Sequence, residues 1–378
     1  MRNSGYWLLT LVLAFGLVLA ACAAPAPHSG TPSTPAPTPE RPAAPAAGPT
    51  KPATGVDQQV IEAAKKEGQV VVWTNTITDL DRIKKQFNDK YPFIELKVWD
   101  ARSVEILAKL AEEAKAGKFT ADFISTTEND TIDLQELGVI QQYAWPAVTS
   151  TWTNQPKNDF YRVHIANLRV HGYNTNLVSP QEVPKTWDDL KDAKWRGRTM
   201  VSNSGDENPL DMAYVWGEGG KLNWEKSEKF WTDVIQNTRP LVVRGYPMEM
   251  IAAGERPLFI SAASITLQAL IDRGAPLNYA PLSPVVAVNF AMSVPKNPPH
   301  PNAARLFVEN ISAAEGLLTW SEANRSLVFD PMVAKQSRIH KIVAERGITY
   351  IPIPAAILTD ENMKRSSEFW LKALGVRG

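Results

Sequence analysis

Between Asp57 and Asp130 the chain alternates amphipathic helical patterns with short apolar runs, and that rhythm restricts the fold more than any other feature. Asp57 can cap a helix with Val60, Ile61 and Ala64 on one face, and Gly68 can end it. Gln69 to Trp73 reads as a buried strand. A helix with Leu80, Ile83 and Phe87 on one face follows, stopped by Tyr91-Pro92; Phe93 to Trp99 is the next strand. Val104, Leu107, Leu110, Ala111 and Ala114 then recur at helical spacing up to Gly117, before a strand over Ala121 to Ile124. Strand, helix and strand in this order imply right-handed crossovers and a parallel sheet.

In such a sheet, ligands bind at the carboxyl ends of the strands, beside helix N-termini. The exit loops here are polar and small. They offer Asn75 and Thr76, then Arg102 and Ser103, then Thr126 and Thr127. A second α/β pattern begins near Trp187, with strands expected over Thr199 to Val201, Leu241 to Val243 and Pro257 to Ile260. Their exits carry Ser204, Arg244, and the pair Ser261 and Ser264. Ile165 to Tyr173 and Val285 to Val294 are extended stretches able to carry the chain from one unit to the other. The pattern therefore implies an α/β protein of two Rossmann-like lobes joined by hinge crossovers. The first lobe is expected over 55–166 plus 285–378 and the second over 167–284. Free N–H groups at helix starts and the guanidinium groups of Arg102, Arg169 and Arg244 favour an anionic ligand: a carboxylate, phosphonate or phosphate ester. Arg244, set between a strand and Gly245-Tyr246-Pro247, is the leading candidate of the three.

The amino-terminal segment assigns a compartment. Cys22 is the only cysteine, so no internal disulfide can form. It follows an apolar run from Trp7 to Leu19, with Arg2 ahead of it and Leu19-Ala20-Ala21 immediately before it. That run is shorter than the roughly 20 residues of a membrane-spanning helix, and its layout is that of a secretory signal peptide over 1–21. Leu-Ala-Ala-Cys resembles the lipobox of bacterial lipoproteins, which implies acylation of Cys22 and export to the outer face of the cytoplasmic membrane. Residues 22–54, almost entirely Ala, Pro, Thr, Ser and Gly, read as an extended linker from that anchor. Forty basic residues balance forty acidic ones. With no basic excess, nucleic acid is not an expected partner, and lipid is the only expected membrane contact.

Specific segments, in this order, resemble the ferric-type branch of the family 1 extracellular solute-binding proteins, the substrate-binding lipoproteins of ABC importers. They include Val70-Val71-Val72-Trp73, Ala121-Asp122-Phe123-Ile124-Ser125, Gly172-Tyr173-Asn174-Thr175-Asn176, Val183-Pro184-Lys185-Thr186-Trp187-Asp188-Asp189-Leu190, Lys194-Trp195-Arg196-Gly197, Ala253-Gly254-Glu255 and Ala303-Ala304-Arg305-Leu306-Phe307. The resemblance implies a type II periplasmic-binding-protein architecture, a monomer that closes around a small ligand and docks on a membrane permease, and no catalysis. It departs at the metal. Ferric members hold iron through paired tyrosines near the positions of Ser261-Ala262-Ala263-Ser264, where this chain has no phenol. Asn75 stands where a histidine is used, and Glu128 lies one residue from the carboxylate position. Ferric binding is therefore the alternative ligand reading.

Enzyme and sensor modules share the bilobal fold and form a further alternative. The chain has neither a Gly-rich phosphate loop nor His-Glu-x-x-His. Its five histidines show no metal-ligand spacing, so no cofactor and no metal site are expected. His164 and His171 flank the first crossover, and Asp188-Asp189 reads as helix capping rather than an acid pair.

Overall fold

The structure is a computed structural model and describes residues 56–376 apart from 77, 78, 157 and 206. The signal segment, Cys22 and the linker lie outside the described residues.

The strands are β1 (Gln69–Thr74), β2 (Glu95–Asp100), β3 (Phe123–Thr127), β4 (Tyr161–Asn174), β5 (Thr199–Ser202), β6 (Leu241–Val243), β7 (Leu258–Ala263), β8 (Leu277–Tyr279), β9 (Val285–Ser293), β10 (Leu327–Val328) and β11 (Tyr350–Pro352). The helices are α1 (Gln58–Glu67), α2 (Leu80–Lys90), α3 (Ser103–Ala116), α4 (Glu128–Glu136), α5 (Asn208–Val215), α6 (Trp224–Thr238), α7 (Met248–Ala252), α8 (Ser264–Asp272), α9 (Pro301–Ser312), α10 (Ala314–Asn324), α11 (Pro331–Ala334), α12 (Arg338–Glu345) and α13 (Asp360–Leu374).

Local chemistry accounts for many of the boundaries. Asp57 accepts a hydrogen bond from Gln59 N at 3.0 Å and so starts α1, while Gly68 ends it at φ 70°. Thr186 and Asp189 cap each other's backbone reciprocally, which fixes a short 3-10 turn over Trp187–Lys191. Asp188 and Asp189 thus serve the turn.

The strand order is β2-β1-β3-β9-β4-β7-β5-β6. The expected parallel pairings hold at both ends: β1 pairs parallel with β2 and β3, and β5 with β6 and β7. The two crossover stretches are the long strands β4 and β9, antiparallel to each other in the middle. β4 changes partner along its length. Tyr161 to Leu168 pairs with β9, and from Arg169 onward the strand pairs with β7 and β8.

Apolar side chains gather around both stretches of sheet. Phe87, Phe123, Phe307 and Trp320 stack edge-on beneath β1 and β3. A second cluster joins Leu190, Trp195, Trp231 and Leu258 with Trp370 of α13. Trp231 and Trp370 meet edge to face, with ring centroids 5.1 Å apart. The segment 285–378 was expected to sit entirely with the first unit. Its last helix packs instead against α5 and α6, because Trp370 finds its apolar partners there.

Two exit loops also turn out shorter than their composition implied. Thr126 and Thr127 complete β3, with Thr127 the N-cap of α4. Ser261 lies inside β7, and Ser264 opens α8.

Candidate functional site

Arg169 stands at the point where β4 leaves β9 for β7. Leu168 is in register with Ala287 of β9, and Arg169 with Ala263 of β7. A cavity of about 280 Å³ opens beside it. One wall comes from the starts of α3 and α4: Ser103, Thr127, Asn129 and Asp130. Arg169 lines the cavity too, with Glu207 at the N-cap of α5 and Asp211 within α5. Val288, Ile353, Leu358 and Met363 supply the apolar remainder. The cavity therefore draws on residues from both α/β patterns, at the place where the central strand changes sheet partner.

Its charges are mostly acidic. Arg169 pairs through Nη2 with Glu207 Oε2 and through Nε with Asp211 Oδ2 at 3.0 Å. Its Nη1 donates to the Tyr246 hydroxyl at 3.3 Å. Asp211 is buried, and burial pushes its carboxyl up to about 6 against the opposing pull of Arg169. On the wall from α3 and α4, Asp130 Oδ2 accepts from Thr126 Oγ1 at 2.8 Å and Thr127 Oγ1 at 2.6 Å.

The residues expected at the site divide into three groups. Thr127 lines the cavity, and Thr126 supports it through Asp130. Asn75 Nδ2 donates to Ser103 Oγ at 2.6 Å, one residue removed from the cavity wall, and Thr76 is buried against Thr74 Oγ1 at 3.0 Å. The remaining residues do other work. The Arg102 side chain, 71% exposed, pairs with Glu105 at 2.6 Å and helps close the start of α3. Ser204 and Arg244 are exposed and are not among the residues that line the cavity beside Arg169. Ser261 donates to Asn208 Oδ1, and Ser264 Oγ accepts from Leu168 N at 3.0 Å, holding α8 to the crossover.

At these positions, several groups on which the anion reading relies already have partners within the chain. Two of the helix starts that were to receive an anion are already capped by the chain itself: α3 through Arg102 and Glu105, α4 through Thr127, which accepts from Asp130 N at 3.2 Å; α5 and α8 begin without a side-chain cap. The one arginine in the cavity wall already faces two carboxylates.

The alternative metal and histidine roles are not supported either. Among the described residues no group of three His, Cys, Asp or Glu is placed to hold a metal ion. Glu128 is buried, accepting from Asn289 Nδ2 at 2.8 Å and the Tyr161 hydroxyl at 3.3 Å. His164 and His171 are both driven down to about 3 by burial and are neutral in the core. His171 Nδ1 accepts from Ser261 N at 3.1 Å, so its proton sits on Nε2.

Glu207, Asp211 and Asp130 were missed as site residues. Asp211 did carry a signal: it is an acid inside the run Pro209-Leu210-Asp211-Met212-Ala213, just as Arg169 is a base between Leu168 and Val170. A buried acid and a buried base in two apolar elements are natural partners.

A fold of two α/β units sharing long antiparallel crossovers, with a polar cavity at the point of exchange, defines the type II periplasmic binding proteins. The model of the bacterial extracellular solute-binding proteins matches residues 82–336, and this chain belongs to that family. No curated protein matches the sequence. Solved structures share the fold at low identity. A substrate-binding protein of an ABC transporter from Agrobacterium tumefaciens matches with TM-score 0.67 and 18% identity, over 82% of this chain and 96% of that one. A ferric binding protein from Campylobacter jejuni gives 0.64 and 17%, over 82% and 100%. The periplasmic binding protein AfuA from Actinobacillus pleuropneumoniae, with fructose-6-phosphate bound, gives 0.63 and 18%, over 82% and 99%. Membership places the protein among exported solute-binding proteins. No helix among the described residues is long and apolar enough to cross a membrane.

Proposed function

We propose that this protein is the lipid-anchored receptor of an ABC importer, holding a small organic solute in the cavity beside Arg169 and delivering it to the membrane permease. The observation that carries this reading is the position of the cavity. Its walls come from α3 and α4 on one side and from α5 on the other, and both meet at the strand that serves both sheets. Movement of one wall toward the other would enclose a solute, the hinge-type closure of two lobes. The lobes comprise 56–166 with most of 285–358, and 167–284 with α13, joined through β4 and β9. Cys22 carries the lipid, residues 22–54 hold the monomeric receptor off the membrane, and no catalytic step is required.

Solute screening by thermal shift, followed by small-angle scattering, tests this. A bound solute should raise the melting temperature and shrink the radius of gyration. A solute that binds without contraction would remove the closure step. Cys22→Ser should release the protein from membranes in detergent-free fractionation, and wild-type protein already free of membranes would refute the anchor.

A further inference from the structure

We infer that the cavity takes an organic cation bearing N–H donors, a protonated amine or a guanidinium group, with a short apolar body. This rests on the receptor reading above and names the solute class of the same site.

The argument begins with the charges that line the space. Among the described residues that line the space, Asp130, Glu207 and Asp211 are acids and Arg169 is the only base. Arg169 is already engaged by Glu207 and Asp211 and donates to Tyr246. An incoming carboxylate or phosphate would have to displace one of these acids and then sit among the rest. A cation meets the opposite situation.

Asp130 supplies the clearest acceptor. Its Oδ2 is taken by two threonine hydroxyls, while Oδ1 receives no hydrogen bond from the described residues. The two hydroxyls fix the carboxylate in one orientation, so little side-chain freedom remains to be lost when a ligand binds.

Asp211 supplies a second, independent observation. It is only 4% exposed, it lines the cavity, and its Oδ2 has no hydrogen-bond donor. Its contact with Arg169 is an ion pair at 3.0 Å without hydrogen-bond alignment. A buried carboxylate left without donors is costly, and a ligand N–H would supply what the protein does not.

The type of cation follows from what else lines the cavity. Among the described residues that line it, none is aromatic. A quaternary ammonium, which has no N–H and is recognised by aromatic faces, finds no cage here. Val288, Ile353, Leu358 and Met363 instead offer an aliphatic surface for an alkyl chain. A volume of about 280 Å³ limits that chain to a small molecule.

Titration calorimetry on the full-length protein tests the inference, with butylamine, 1,4-diaminobutane and butylguanidine as N–H cations. Choline is the quaternary control, and citrate and glycerol 3-phosphate are the anion arms. At least one N–H cation should bind more tightly than choline and both anions. Asp130→Asn and Glu207→Gln should each weaken it about 10- to 150-fold, the effect of losing one charge-assisted hydrogen bond. Asp188→Asn, on the exposed turn after Thr186, should leave it unchanged. Circular dichroism and the urea midpoint show that each variant is folded. Failure of all three N–H cations, equal binding of choline, or full affinity in both Asp130→Asn and Glu207→Gln overturns the inference. Tight binding of an anion with contraction of the protein refutes the cation while leaving the receptor intact. If a wide screen of solutes of every charge gives neither binding nor contraction, the receptor reading itself falls.

Discussion

Asp211→Asn isolates the energetic cost of placing an acid at the crossover. In the folded protein, burial raises the Asp211 carboxyl from 3.8 to about 6, with Arg169 only partly opposing the shift. The folded state therefore binds a proton that the unfolded chain has already released. For a raised acid, the stabilising contribution is fully present below the unfolded value of 3.8 and is lost as pH rises through the folded value of about 6. A shift of this size corresponds to about 3 kcal/mol, at about 1.4 kcal/mol per pKa unit. Roughly 2 kcal/mol of it falls between about pH 4.5 and 7, a range in which most proteins remain folded. Asparagine keeps the shape and cannot titrate, so the variant lacks this dependence. Exchange of the neutral acid for an amide adds an offset, which to first order is constant with pH, while the Arg169 ion pair is already contained in the shift. Urea denaturation of both proteins at half-unit steps from pH 4.5 to 7 measures the difference. The stability of the wild type relative to the variant should fall by about 2 kcal/mol across that range. A difference that stays flat within error, or that grows with pH, would refute the assignment of Asp211 as a carboxylate kept in the core at a desolvation cost.

Three further outcomes follow from individual contacts. Trp370→Ala should destabilise the protein by about 3–5 kcal/mol in urea titration, because it empties the buried position against Trp231; a loss below about 1 kcal/mol would mean that α13 does not belong to that core. Thr127→Ala removes the side-chain cap of α4 and should cost about 1 kcal/mol by the same measurement. Arg244→Ala removes an exposed side chain that is not among those lining the cavity beside Arg169, so solute affinity in calorimetry should stay within about twofold of wild type, a difference of about 0.4 kcal/mol; a tenfold loss would restore Arg244 to the site.

Much of the fold was legible because periodicity records burial. The runs at Gln69, Thr199 and Leu241 and the long extended stretches at Ile165 and Val285 became strands close to their expected limits. Loop lengths were harder to read, since Ser and Thr suit strand ends, caps and ligand contacts equally well. Thr126, Thr127, Ser261 and Ser264 therefore looked like loop residues until their backbone hydrogen bonds and caps placed them in β3, β7 and α8. Arginines at strand ends were ambiguous for a related reason. A guanidinium beside Glu105 and one facing Asp211 have the same composition nearby, and only the fold tells a surface pair from a buried one. The acidity of the cavity was hidden because its carboxylates come from α4 and α5, which are far apart in the chain.

The reach of α13 has a consequence for the order in which the molecule can form. The core around Trp195 and Trp231 takes its last large member, Trp370, from the final described helix. β4 likewise pairs with β9, which is made only after the whole intervening α/β segment. A chain emerging from its amino terminus thus cannot complete either half early. The part already synthesised lacks the side chains that would seal it. The sequence separates the partners of the native state so widely that folding awaits delivery of nearly the entire chain.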